Sequence, residues 1–378
     1  MGSFHGTSNN EERCHLNCGS LLTAKWFDTP TSLGSQAKPR DPWNEQTFTC
    51  QDQRTYMNIM CGAGYPCYMA HPERLDAPQL WDIIDAITRA DPDGSRASRV
   101  FRDTFDQLYD GEHTGRYAVD QLYKTEKTHF GTLIEINLRR EFRDVITDGD
   151  KLDYQIAGHD IDCKFSFTDG GWMLPPECFG LLLLVATADD GSARWSLGVV
   201  RANDENRNTG SNRDAKVTLN TTGRSAIYWL HRNAEMAENI LLTMDETTRD
   251  AIMGLESGQA RVNELFRRAI GRRISRAVIA TVAQQKDYMK RVRYDGGARS
   301  HLRPEGYLIL GDYASHSKVA ESLGAEIPGH GEFVSVRVVP CDQDAPSSVL
   351  LGGRWWRQAR ADEEVTVPAP LLPTTKRT

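Results

Sequence analysis

Long hydrophobic runs, internal repeats and C-x₂-C cysteine pairs are all missing from this 378-residue chain, and each absence removes a class of protein. The apolar run Phe179-Gly-Leu-Leu-Leu-Leu-Val-Ala186 is too short to cross a bilayer, which takes about 20 residues, and fits a buried strand instead. No apolar core follows the N-terminus, so a secretory leader is not expected. The eight cysteines contain no C-x₂-C pair, a poor framework for zinc. Cys163, Cys178 and Cys341 are scattered, as in a protein of the reducing cytoplasm. Positive charge is also in deficit: 45 Lys and Arg face 52 Asp and Glu, for a net charge of -7.

What is present begins with Lys151-Leu-Asp-Tyr-Gln-Ile-Ala-Gly-His-Asp-Ile-Asp-Cys-Lys-Phe-Ser-Phe167. Side chains along a strand alternate between faces. Ile161, Cys163, Phe165 and Phe167 therefore face a core, while Asp162, Lys164 and Ser166 share the other side. A turn at Ala157-Gly158-His159 folds one short strand back on the next and brings Asp153 towards Asp162. Two carboxylates beside an ammonium suit a hard, oxygen-seeking cation such as Mg²⁺, and such a site can hydrolyse a phosphodiester. Lys164 is placed to hold or help deprotonate the attacking water and to offset charge on the phosphorus. An exposed, salt-bridged strand face is the alternative that local pattern leaves open.

A second acid-x-Lys, Asp214-Ala215-Lys216, lies in a polar stretch without apolar alternation and reads as surface. A third acid comes from Thr128 to Phe142, a predicted helix with Leu133, Ile134, Ile136, Leu138 and Phe142 apolar. Glu135 sits among them, where an acid is costly unless paired or metal-bound. Pairing with Arg139 one turn on is the simpler alternative.

From about Met69 onward the chain resembles the type IIE restriction endonucleases of the NaeI family. The resemblance is carried by Phe101-Arg-Asp-Thr-Phe-Asp-Gln-Leu-Tyr-Asp-Gly111, Lys124-Thr-Glu-Lys-Thr-His129, Gly131-Thr-Leu-Ile-Glu-Ile-Asn-Leu138, Ile156-Ala-Gly158 and Asp162-Cys-Lys-Phe-Ser166. It continues through Trp172-Met-Leu-Pro-Pro-Glu177, Gln259 to Arg268, Arg276 to Gln285, Met289-Lys-Arg-Val-Arg293, Gly296-Gly-Ala-Arg-Ser300 and Leu302-Arg-Pro-Glu-Gly306, all in one order. The resemblance implies a homodimeric, Mg²⁺-dependent endonuclease that cuts double-stranded DNA at GCCGGC. It also implies that a second, effector copy of DNA must bind before efficient cleavage, so that DNA is both substrate and allosteric effector.

The implied fold is an α/β (α+β) catalytic domain of the PD-(D/E)xK type, followed by a catabolite-activator-like helix-turn-helix domain. The implied catalytic residues are Glu135, Asp153, Asp162 and Lys164, with the metal held by Glu135, Asp153, Asp162 and the backbone carbonyl of Cys163. The stretch Phe142 to Lys151 is longer than the family pattern and reads as a surface-loop insertion. Asp169-Gly-Gly-Trp-Met-Leu-Pro-Pro-Glu177 is either a groove-facing element, with Trp172 against DNA, or a Gly/Pro turn.

The acidic balance conflicts with a need to neutralise phosphates, and local distribution answers it. Arg261 to Arg303 holds twelve basic residues and three acids. Interleaved apolar residues such as Val262, Phe266 and Val278 make this a folded basic element. Candidate DNA contacts are Arg267, Arg268, Arg272, Arg273, Lys290, Arg291, Arg293 and Arg299, against the alternative of a solvated helix face.

Helices are predicted over 77–90, 95–109, 118–143, 260–271 and 285–293. Strands are predicted over 152–156, 160–167, 180–187, 194–202, 307–310 and 332–339. The implied domains are 69–232 for catalysis, a linker over 233–258, 259–368 for DNA binding, and a frayed tail over 369–378. Residues 1–68 carry Cys14, Cys18, Cys50, Cys61 and Cys67 without periodicity. They read as a disordered or mis-assigned extension, or as a small zinc appendage. Two further functions compete: a sequence-specific DNA-binding protein that does not cleave, which the intact acids and lysine oppose, and a repair or recombination nuclease, which the matching C-terminal half opposes. No membrane partner is expected.

Overall fold

The computed structural model describes residues 77–210 and 212–373. The N-terminal extension with its five cysteines, and residues 374–378 of the tail, lie outside the described residues. Helices come first: α1 (Pro78–Ala90), α2 (Ser95–Tyr109), the short α3 (Gly111–Thr114) and α4 (Lys124–Glu141). Pro78 occupies a first turn, where its missing amide hydrogen is no loss. The Asp91 carboxylate accepts from the amides of Arg96 and Ala97, both at 2.9 Å, and so starts α2. Glu126 accepts from the Tyr123 amide at 2.8 Å and is gripped by both terminal nitrogens of Arg116. That cap starts α4 at Lys124, later than periodicity alone predicts, and leaves only a 3₁₀ turn at Val119–Gln121.

Six strands follow: β1 (Ile146–Asp148), β2 (Tyr154–Ile156), β3 (His159–Ser166), β4 (Leu182–Asp189), β5 (Arg194–Arg201) and, after the short helix α5 (Thr221–Ser225), β6 (Tyr228–Glu235). They form one sheet in sequence order, antiparallel except where β3 and β4 run parallel. The β2–β3 hairpin turns on Ala157 and Gly158, both at positive φ (51° and 80°), the conformation of a type I′ turn. The segment expected to be a loop insertion contributes β1, which pairs with β2 through Ile146 and Ile156.

The sheet is covered on both faces, so β4 is apolar at successive positions. Leu182, Leu184 and Ala186 belong to the core formed with Phe101, Phe105, Phe130 and Leu138 of the helices. Leu183 and Val185 belong to a second core with Trp172, Leu174, Val200 and Leu219. Burying each such side chain stabilises by roughly 1.5–3 kcal/mol, which fixes the register of β3 beside it.

The remaining elements are α6 (Ile240–Thr243), α7 (Glu246–Met253), α8 (Gly258–Arg268), β7 (Arg273–Ser275), α9 (Arg276–Ala283), α10 (Ala298–His301), β8 (Tyr307–Gly311), α11 (Ala314–Leu323), β9 (Glu332–Pro340), β10 (Ser348–Leu351) and β11 (Arg354–Gln358). Strand β9 organises the second sheet, pairing with β7, β8 and β11.

Three local expectations change. The stretch expected to be a linker is packed: Ile240, Leu241 and Ile252 are fully buried, and Asn239, Asp245 and Ser257 cap successive helices. The helix expected over 285–293 is only a 3₁₀ turn at Tyr288–Arg291, while the real helix α9 precedes it. Six of the eight α9 residues are buried, so no one-sided period marks it in the sequence. Ala369 and Leu372, in the tail expected to fray, are buried against β8 and β9.

A buried polar network ties the two sheets' surroundings together. Asp190, after β4, takes hydrogen bonds from Arg102 and Tyr109 of α2, the latter at 2.7 Å, and from Asn239 before α6 at 3.5 Å. Asn239 also donates to the Tyr117 carbonyl at 2.9 Å.

Candidate active site

Asp153, just before β2, meets Asp162 and Lys164 of β3. Lys164 Nζ is ion-paired with Asp162 Oδ2, lies 3.8 Å from Asp153 Oδ2 and donates to the Cys163 carbonyl at 3.2 Å. Asp153 is held by the Cys163 amide, which donates to its Oδ2 at 2.9 Å. One ammonium thus gathers two carboxylates and a backbone oxygen. Burial, then the neighbouring Asp162 carboxylate, push the Asp153 acid up to about 7. Burial opposes the charge on Lys164, but the bond to Asp162 outweighs it and its pKa is raised.

Glu135 is half-buried on α4, and the same field reaches it. Burial and the Asp162 charge raise its pKa, against the pull of Lys164 and Arg139. Arg139 is ion-paired with Asp148 of β1, so the simple helix pair of Glu135 with Arg139 does not form. Among the described residues no three Asp, Glu, His or Cys side chains form a group able to hold a metal ion, so Glu135 and the two aspartates do not together make one. In chemistry the set suits a hard cation, since Asp153 Oδ2, Asp162 Oδ2 and the Cys163 carbonyl already converge on a positive charge.

Two contacts escape sequence reading. The Cys178 thiol, fully buried, donates to Asp162 Oδ2 at 2.7 Å from a 3₁₀ turn after β3. No spacing signal announces it, because the partners belong to different elements. The Tyr154 hydroxyl donates to the Glu135 carbonyl at 2.5 Å. Here alternation offers half a clue, placing Tyr154 on the face opposite Asp153. The other acid-x-Lys, with Asp214 exposed and Ala215 at φ 57°, is a surface turn as expected.

The candidate DNA contacts divide. Trp172 is a correction: it is fully buried, its indole donates to the Ala186 carbonyl at 2.9 Å, and it has no surface to offer a groove. Burial removes Trp172 from the candidate contacts, while its neighbour Met173 is exposed. Arg299 also turns inward, donating to the Ile309 carbonyl at 3.0 Å with Tyr294 and Phe333 beneath its guanidinium. Burial lowers its pKa and no acid offsets this.

Several others are already paired within the chain. Arg267 forks onto Glu305 with two 2.8 Å bonds, and Arg268 bonds Glu264 at 2.6 Å. Arg272 meets Glu238 at 2.8 Å, Arg273 meets Glu326 at 3.1 Å, and Lys290 meets Asp287 at 2.6 Å. Arg291 donates to Gln285 Oε1 at 2.6 Å. The Arg293 side chain is exposed and has no ion pair among the described residues.

The mixed sheet brings two aspartates and a lysine together, a set whose chemistry suits metal-assisted hydrolysis of a phosphodiester. Comparison with known proteins gives the family. The profile described as "Restriction endonuclease NaeI" matches residues 82–367. A curated relative, "Type II restriction enzyme NaeI" of Lentzea aerocolonigenes, is 50% identical over 316 residues, covering 82% of this chain and 97% of the relative. The chain belongs to the NaeI restriction endonuclease family, and its activity is that of a type II site-specific deoxyribonuclease.

Proposed function

We propose that Glu135, Asp153, Asp162 and Lys164 are the catalytic residues of a PD-(D/E)xK centre that hydrolyses double-stranded DNA with Mg²⁺. The observation that carries this reading is the convergence of Asp153, Asp162 and the Cys163 carbonyl on one ammonium. Those oxygens, with Glu135, would hold the cation, which supplies a polarised phosphoryl oxygen and a more acidic water. With a cation held there, Lys164 would no longer be needed to balance the aspartates. Its ammonium would orient the attacking water and balance charge on the phosphorus as the bond to the leaving oxygen breaks. Cys178 and the Cys163 amide hold the two aspartates in place meanwhile.

Target and regulation follow the family reading: GCCGGC as the site, a homodimer matching the palindrome's symmetry, a cytoplasmic location, and a second DNA copy as effector. The catalytic part is placed within 69–232 and effector binding within 259–368, through a helix-turn-helix built on α8 and α9. Arg261 of α8 supports that pairing by donating to the carbonyls of Val282 and Ala283 at the end of α9, at 2.6 and 2.9 Å. Among the described residues no helix is long and apolar enough to cross a membrane.

The test is digestion of a long DNA carrying several GCCGGC sites with Mg²⁺, followed by sequencing of the ends. Uniform ends at that palindrome are expected, and uniform ends elsewhere would revise the target. Asp162→Asn and Lys164→Ala should each lower cleavage by at least about a hundredfold and leave DNA binding in Ca²⁺ intact. Retained cutting by either variant would overturn the site.

A further inference from the structure

Tyr154 sits beside the proposed acids without being one of them. It follows Asp153 in the chain, it pairs across the hairpin with Ile161, the neighbour of Asp162, and its hydroxyl donates to the Glu135 carbonyl at 2.5 Å. The ring is fully buried in the core between sheet and helices. A buried phenol needs an acceptor, so a bond somewhere is unremarkable, but its choice of partner is informative. The Glu135 carbonyl lies inside α4 and already accepts the helix's own amide four residues on. The backbone therefore has no unmet need there. The other polar ties of this end of α4 run elsewhere, Asn137 to Thr104 and Gln107 of α2 and Arg139 to Asp148 of β1. Among the described residues, the Tyr154 hydroxyl is the side-chain hydrogen bond that joins α4 to the β2–β3 hairpin.

We infer that Tyr154 is a positioning residue, a latch that sets how far Glu135 stands from Asp153 and Asp162. The inference rests on the proposed catalytic site. As folded, Glu135 and the two aspartates do not make up a three-residue group able to hold a metal ion, so small changes in the seat of α4 decide whether the Glu135 carboxylate can share a cation with them. A hydroxyl that fixes that seat acts on metal binding and leaves the DNA surface alone.

The experiment compares the full-length protein with Tyr154→Phe, Ile156→Val and Asp162→Asn. Tyr154→Phe keeps the buried ring and removes only the hydroxyl. Ile156→Val weakens the same strand's packing without touching the latch. Mn²⁺ binding is followed by the loss of the free-ion electron paramagnetic resonance signal, and the Mg²⁺ concentration for half-maximal cleavage is read separately. Tyr154→Phe is expected to raise both metal concentrations by about tenfold, the low end for a group that orients a metal ligand, while DNA affinity in Ca²⁺ stays unchanged. Ile156→Val is expected to match the parent in all three. If Tyr154→Phe matches the parent, or shifts only as far as Ile156→Val does, the latch is overturned. Asp162→Asn separates the two ideas: cutting retained by that variant would remove the site itself and the latch with it.

Discussion

Burial and the Asp162 charge push the Asp153 acid up to about 7, and the sign of the consequence is fixed. A carboxyl that holds its proton more tightly when folded contributes stability that is fully present below its unfolded value near 4. That contribution is lost as pH rises through 7. In the metal-free protein, Asp153→Asn should therefore match the parent at pH 4 and exceed it at pH 8. The gain should be on the order of 1–2 kcal/mol once solvent screening is allowed for; urea denaturation in a chelator at the two pH values measures it. A parent as stable at pH 8 as at pH 5 would contradict the raised pKa. Alternation along β3 placed Asp162 and Lys164 on one side, and the turn residues Ala157 and Gly158 brought Asp153 to them. Cys178 was beyond such reasoning, since its contact with Asp162 exists only once a separate turn packs under the strand.

Helix α3 is where one half of the molecule meets the other. A Cβ on Gly111 would lie 1.9 Å from Thr281 Oγ1 and 2.8 Å from Thr281 Cβ of α9. Glycine lets the two helices touch there, and Gly111→Ala has to force them apart. The substitution should lower stability by about 1–3 kcal/mol, as overpacking does. Thr281→Ala in the same chain should restore only part of that, because the clash with the Cβ at position 281 remains. Thermal denaturation of the single and double variants checks both expectations; an unaffected single variant would mean the seam yields easily. Neither α3 nor α9 was legible as an element. The first is one turn long, and the second is buried on nearly every side, so periodicity had no polar face to register. The packed helices over 240–253 escape periodicity for a different reason: the apolar runs Ile240-Leu-Leu242 and Ala251-Ile-Met253 are short and separated by acids and threonines, so neither shows a helical repeat.

Across the whole molecule the basic block is less available than its composition suggests. Arg267, Arg268, Arg272, Arg273 and Lys290 are spent on carboxylates of the same chain, whereas Arg293 and Lys286 are exposed. Removing a side chain that neutralises one DNA phosphate should reduce the slope of log affinity against log salt by about 0.9. Arg293→Gln and Lys286→Gln are expected to do so, while Arg267→Gln should leave the slope alone and lower stability. Filter binding over a salt series decides it, and an unchanged slope in the first two would remove them from the interface. The sequence by itself determined the helices and strands around the β2–β3 hairpin apart from β1 and β6, the shared side of Asp162 and Lys164, and the family. All of these are written in near-neighbour periodicity and in motif order. Tertiary structure alone decided that Trp172 and Arg299 face inward, which basic residues are neutralised, and that Tyr154 reaches Glu135. Each of those depends on which distant residue packs alongside, a fact of three-dimensional neighbours that local spacing does not encode.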